Sequence, residues 1–126
     1  MAHMNSGVLD RLVVQAGDTI FTEGDTGDRA YVVQDGLIEI VKEVNGEHVV
    51  LGTIEKGGIF GEMALIDNQP RMATARAATM ATVIVVGRDV FSKKLAKCDP
   101  FIKGLLGIFV RNIRSIVQER AESGQL

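Results

Sequence analysis

Glycine punctuation constrains this chain more than any other feature. Eleven of its 14 glycines fall at or before Gly87, at positions 7, 17, 24, 27, 36, 46, 52, 57, 58, 61 and 87. Between them lie short runs with β-branched residues: Arg11–Val14, Thr19–Phe21, Ala30–Gln34, Leu37–Val44, His48–Ile54, Ala73–Ala78 and Thr82–Val86. Short strands at turn-punctuated intervals predict an antiparallel sandwich or barrel. The sharpest local signal is Asn45-Gly46, between Leu37–Val41 and His48–Leu51. It predicts a type I′ hairpin with both central residues at positive φ.

After Gly87 the pattern changes from alternation to a helical period. Asp89 is placed to cap a short helix, Val90–Lys97, that turns Phe91 and Leu95 to one side. Asp99-Pro100 then supplies an N-cap followed by proline at the first helical position. Ile102, Leu105, Leu106, Phe109, Ile113, Ile116 and Val117 recur at spacings of three and four and form one apolar stripe. Such a stripe is expected to pack on the strands, on a partner chain or on a ligand. Gly104 and Gly107 inside this helix cost roughly 1 kcal/mol each against alanine; close packing, a bend and plain tolerance are the readings open for them. The helix is expected to fray near Ser123-Gly124. The expected architecture is mainly β: an antiparallel β-roll or jelly-roll barrel over about 11–88, then a short and a long helix over about 89–122. Residues 5–126 are read as one domain. Met1-Ala2-His3-Met4 resembles a cloning scar.

Composition excludes several functions. Apolar residues make up 46% and charged ones 24%, as in ordinary globular chains rather than disordered ones. A net charge of −2 argues against nonspecific binding to DNA or acidic membranes. The longest apolar run, Ala81–Gly87 interrupted by Thr82, is too short to span a bilayer, and no secretory signal is visible. The single cysteine, Cys98, cannot form an intrachain disulfide, which fits a cytoplasmic location; it reads as a small buried residue. With only His3 and His48, neither a His-rich metal site nor an ordinary nucleophile–base set can be built. The chain is therefore expected to bind a ligand rather than transform one. Glu23-Gly24-Asp25-Thr26-Gly27-Asp28 superficially suggests a calcium loop, but acidic turn residues are more simply solvated.

One stretch, Phe60–Thr74, reads neither as strand nor as simple turn. Gly61 allows a sharp entry, Glu62–Ile66 can form about one helical turn, and Asp67-Asn68-Gln69-Pro70 breaks it. A helix start behind a glycine exposes free N–H groups and the positive end of the dipole, which suits a phosphate. Arg71 follows Pro70, and its forked, permanently charged group matches two phosphate oxygens. Glu62 can accept hydrogen bonds from a sugar hydroxyl. One ligand carrying phosphate and ribose satisfies both residues; a Glu62–Arg71 salt bridge in a surface loop is the alternative.

Phe60-Gly61-Glu62-Met63-Ala64-Leu65 followed by Pro70-Arg71-Met72-Ala73-Thr74 resembles the phosphate-binding cassette of the cyclic nucleotide-binding domain family. That family includes regulatory subunits of cyclic-AMP-dependent kinase, cyclic-nucleotide-gated channels and the bacterial catabolite activator. Upstream, Ala16-Gly17-Asp18, Ile20-Phe21, Glu23-Gly24-Asp25, Gly27-Asp28, Tyr31 and Gly36 resemble the family's first hairpins in order and spacing. Lys56-Gly57-Gly58-Ile59-Phe60 resembles the approach to the cassette, with Gly58 where an acidic residue is usual. The similarity runs from about Leu12 to Val117.

The resemblance implies a cupin-like double-stranded β-helix and a ligand site at Phe60, Gly61, Glu62, Met63, Ala64, Arg71, Met72 and Ala73. It implies that Gly61 and Glu62 hold the ribose 2′-hydroxyl. It also implies that Arg71 pairs with the cyclic phosphate beside the N–H groups of Met63, Ala64 and Met72. The expected ligand is cyclic AMP, with cyclic GMP second, because guanine-preferring members often carry threonine where Met72 stands; Thr74 is a weak substitute. No cofactor, metal or catalytic residue is implied. Phe109, Arg111 or Arg114 of the long helix is expected over the base. Family members usually begin with helices, for which only Val8–Arg11 is available, and transcription factors add a helix-turn-helix after the long helix. The expectation is an excised domain with an effector outside this chain, no DNA reading of that kind, and a homodimer as an option. The rival readings are a degenerate interaction or dimerisation module without nucleotide and a cupin-like metalloenzyme, which the missing histidines disfavour.

Overall fold

The computed structural model describes residues 10–126. Met1–Met4 and Val8 lie outside the described residues. Eight strands come first, broken by one short helix: β1 Asp10–Val14, β2 Thr19–Phe21, β3 Arg29–Asp35, β4 Ile38–Val44, β5 Glu47–Ile54, β6 Ile59–Phe60, α1 Met63–Asp67, β7 Thr74–Ala77 and β8 Ala81–Gly87. Two helices follow, α2 Arg88–Ala96 and α3 Pro100–Ser123. The strands form two antiparallel four-stranded sheets, ordered β1-β8-β3-β6 and β2-β7-β4-β5. The roll is as expected, but no ladder joins the sheets among the described residues, so the barrel is not closed. Arg11 opens a strand as expected, and Asp10, in the one stretch available for a leading helix, joins it: the two pair with Val85 and Ile84 in β1.

Alternation builds the core. In β7, Ala75 and Ala77 are buried while Thr74 and Arg76 are half-buried, as the two-residue period of a strand requires. These alanines meet Val14, Tyr31, Val33, Ile38, Phe60, Ala81 and Val83 between the sheets. The β4–β5 register shifts where Ile40 faces Gly52 and Val41 faces Val50, leaving Leu51 as the extra residue. Beyond the shift, Val41 and Lys42 are both buried. The Asn45-Gly46 turn forms as expected, with φ of 53° and 82°.

Helix α2 starts two residues earlier than its sequence suggests. Gly87 is the N-cap, and Asp89 sits in the first turn, where its charge favours the dipole without capping it. Asp99 caps α3 by accepting from the Phe101 N–H, with Pro100 at the first helical position. Gly124 ends the helix in the left-handed region at φ 72°. Space around Gly104 and Gly107 is open, so neither serves close packing. Of the apolar stripe on α3, Ile102, Phe109, Ile113 and Ile116 remain exposed, and the helix buries only Val110. Its main neighbour is α1. Cys98 is half-buried rather than buried, and its thiol points to the Lys94 carbonyl.

Candidate ligand cavity around Arg71

The short strand β6 pairs Phe60 with Tyr31 and Ile59 with Val32, which fixes where the chain leaves the sheet. Gly61 then turns at φ 79°. A Cβ there would lie 3.0 Å from Arg71 Nη1 and 3.1 Å from the Phe21 ring, so both the backbone angle and the space favour glycine. Glu62 is the N-cap of α1. The first N–H groups of a helix have no partner within it, which leaves those of Met63 and Ala64 available. Asn68 closes α1 in the left-handed region at φ 56°.

Arg71 is 6% exposed and lies across this turn. Its Nη1 donates to the Gly61 carbonyl at 2.7 Å and its Nη2 to the Arg29 carbonyl at 2.8 Å. The guanidinium carbon sits 4.0 Å from the centroid of the Phe21 ring, a cation–π contact. Phe21, Tyr31 and Phe60 pack together beneath it, with ring centroids 5.1–6.1 Å apart. The backbone is fixed too: Arg71 N–H donates to the Asp25 carbonyl at 2.8 Å, and Gly24 N–H donates to the Arg71 carbonyl at 2.9 Å. Gly27 closes the other side, where a Cβ would fall 2.3 Å from the guanidinium carbon.

No carboxylate pairs with Arg71 among the described residues, and its buried Nε lacks a hydrogen-bond partner. The Glu62–Arg71 surface salt bridge therefore does not form. Burial lowers the Arg71 pKa, an effect that the nearby Tyr31, Asp28, Asp25 and Glu62 oppose. Burial also raises the Glu62 carboxyl above its ordinary range, against the pull of its own N–H and of Arg71. Tyr31 is raised for the same reason, burial. A buried cation without a counter-ion among the described residues, next to the first N–H groups of a helix, is arranged to receive an anion.

All eight sequence-predicted site residues line one cavity of about 190 Å³: Phe60, Gly61, Glu62, Met63, Ala64, Arg71, Met72 and Ala73. Phe21, Ile40, Ile54 and Ile59 supply an apolar wall that the sequence reading missed. The alternating Ile38 and Ile40 of β4 was the available signal for part of it; nothing in the sequence singled out Ile54. Thr74 does not line this cavity, and its hydroxyl accepts from the Glu23 N–H at 2.9 Å.

Of the three α3 residues considered for the base, only Arg114 reaches the cavity. Phe109 is exposed at 52% and Arg111 is also exposed. Arg114 forks onto both carboxylate oxygens of Asp67, the Nη2 bond being 3.1 Å, and donates to the Pro70 carbonyl at 2.9 Å. No group of three or more potential metal ligands occurs among the described residues. In the acidic turn, Asp25 accepts from the Thr22 N–H and Glu23 pairs with Lys42. No described helix is long and apolar enough to cross a membrane.

The sequence profile of the family described as "Cyclic nucleotide-binding domain" matches residues 11–98. A cAMP-dependent protein kinase regulatory subunit of Yarrowia lipolytica is 41% identical over 87 residues, covering 69% of this chain and 23% of that protein. The chain thus spans about a quarter of the length of this relative. In structure it is similar to the EAL enzyme Bd1971 in its cAMP-bound form, with a TM-score of 0.84 and 30% identity, covering 90% of this chain and 30% of that one. The cGMP-bound form of the same enzyme matches with a TM-score of 0.79 and 31% identity, covering 83% of this chain and 28% of that one. The chain belongs to the cyclic nucleotide-binding domain family.

Proposed function

We propose that residues 5–126 act as one non-catalytic regulatory domain that binds a cyclic nucleotide in the Arg71 cavity and passes the signal through α3 to an effector outside this chain. The observation that carries this reading is the buried guanidinium of Arg71, which faces the cavity without a carboxylate partner among the described residues. A cyclic phosphate would pair with Arg71 and accept from the N–H groups of Met63, Ala64 and Met72. The ribose 2′-hydroxyl would donate to Glu62 beside Gly61. The purine would lie against the apolar wall of Ile40, Ile54 and Ile59. Arg114 would then be the α3 residue nearest the base, and its bonds to Asp67 and Pro70 join α3 to the cassette. The site of action is the cytoplasm, a reading that rests on the single cysteine.

Cyclic AMP is the preferred ligand in this account. Met72, directly after Arg71, offers apolar contact and no hydroxyl to a guanine. Thr74 is no substitute, because it does not line the cavity. A preference of roughly tenfold corresponds to about 1.4 kcal/mol. Calorimetric titration with cyclic AMP and cyclic GMP tests both parts. Tighter binding of cyclic AMP is expected. Equal or reversed affinities would remove the selectivity argument, and no heat with either nucleotide would favour an interaction module without nucleotide.

A further inference from the structure

Beside the cassette, against the chain that leaves Arg71, lies an ion pair between a buried lysine and a half-buried glutamate that the function above does not use. Lys42 of β4 is 7% exposed. Its ammonium donates to Glu23 Oε2 at 2.8 Å and to the Met72 carbonyl at 3.0 Å. The other carboxylate oxygen of Glu23 accepts from the Glu43 N–H at 3.1 Å, and the Glu23 N–H donates to Thr74 Oγ1 at 2.9 Å. Lys42 and Glu23 thus hold each other while gripping the chain at Met72 and Thr74. Taking the lysine ammonium out of water is expensive, and an apolar pair of similar volume would often serve stability as well. What an apolar pair cannot do is fix the direction of a carbonyl.

That direction matters for the cavity. A peptide unit is planar and trans here, so its C=O and the following N–H point in opposite directions. The Met72 carbonyl that meets Lys42 shares its plane with the Ala73 N–H. Drawing this carbonyl toward Lys42 turns the Ala73 N–H the other way, toward the cavity that Met72 and Ala73 line. A cation on the carbonyl also polarises the peptide and strengthens its N–H as a donor. We propose that Lys42, held by Glu23, is a positioning residue for anion binding, which sets the Met72–Ala73 peptide so that the Ala73 N–H donates to the ligand phosphate beside Arg71. This inference rests on the reading of the cavity as a cyclic-nucleotide site.

The test compares the parent with Lys42→Met and Lys42→Arg by calorimetry with cyclic AMP and by ¹⁵N–¹H correlation spectra of the Ala73 amide. In the parent and in Lys42→Arg, cyclic AMP should move the Ala73 amide proton downfield, with affinities within about threefold of each other. In Lys42→Met the shift should vanish and affinity should fall about tenfold, the scale of one charge-assisted hydrogen bond. Should Lys42→Met fail to fold, Lys42→Gln, with a shorter and neutral donor, is read by the same two criteria. An intact Ala73 shift in a folded variant lacking the ammonium would overturn the proposal, whatever the affinity. A parent that binds no cyclic AMP would overturn the reading of the cavity, and this proposal with it.

Discussion

The cassette and helix α3 solve opposite problems. In the cassette almost every polar group near Arg71 is tied down: its backbone to Asp25 and Gly24, its guanidinium to the Gly61 and Arg29 carbonyls. Only the means to meet an anion is left over. In α3, by contrast, 24 residues bury a single side chain, Val110, and Ile102, Phe109, Ile113 and Ile116 of the apolar stripe remain exposed. Polar contacts from Arg114 to Asp67 and Pro70 join it to the cassette. The difference teaches which part is fixed by many bonds and which is held by few. A binding site assembled in advance avoids ordering costs, whereas a weakly buried helix can change position for little free energy.

Removing the cation from the cassette side should have the largest effect. Arg71→Ala leaves the ligand phosphate unpaired in a partly enclosed site and should weaken cyclic AMP binding by roughly 2–5 kcal/mol. Equilibrium dialysis with labelled nucleotide measures this, and near-parental affinity in a folded variant would remove Arg71 as the anchor.

Glu62 comes next and brings a pH signature. Glu62→Ala should cost roughly 1.5–3 kcal/mol of binding, the scale of hydrogen bonds to a charged group. The Glu62 carboxyl is raised by burial above its ordinary 4.5. The empty folded state therefore keeps a proton that the unfolded chain loses, and the contribution of Glu62 to stability falls as pH rises from 4.5 through the raised value. Binding should show the reverse trend, since the ribose hydroxyl needs the ionised carboxylate. Affinity should drop as pH falls through that window in the parent, and Glu62→Gln should flatten the profile. A parental profile in Glu62→Gln would assign the titration elsewhere.

On the α3 side the effects are smaller. Arg114→Ala frees α3 from Asp67 and Pro70 and should lower stability by about 1 kcal/mol, given a pair that is partly solvated. Its melting temperature should fall slightly, while cyclic AMP still binds through Arg71. A loss of binding as large as that of Arg71→Ala would place Arg114 in the anion site itself. Smallest of all, Gly104→Ala and Gly107→Ala each meet open space. Each should stabilise α3 by up to about 1 kcal/mol. Thermal unfolding checks this, and destabilisation would reveal a packing role for these glycines.

Local chemistry was legible in the sequence, and long-range geometry much less so. The Asn45-Gly46 turn and the Asp99-Pro100 cap follow from backbone preferences of adjacent residues, and both form as read. The eight cassette residues lie within 14 positions, so one turn and one helix start gather them into the cavity. The N-cap of α2 was misplaced because Gly87, the last residue of β8, caps by its conformation and Asp89 offered a more conspicuous side chain. Barrel closure depends on which strand edges meet, and no local pattern encodes that. The Arg114–Asp67 pair spans 47 positions and Lys42–Glu23 spans 19 between separate elements, so neither spacing carries a signal. The α3 stripe showed amphipathicity but not its partner. Periodicity says that a face is apolar and leaves open what covers it.

Hydrogen exchange with and without saturating cyclic AMP tests both sides of the comparison in one experiment. Amides of residues 59–74 should gain protection as the ligand engages the cassette, and those of residues 101–119 should change as α3 takes a new position against it. Protection at 59–74 with an unchanged α3 would make the helix a fixed brace and end its signalling role. No change at 59–74 under saturating nucleotide would contradict the central claim that the Arg71 cavity is the binding site.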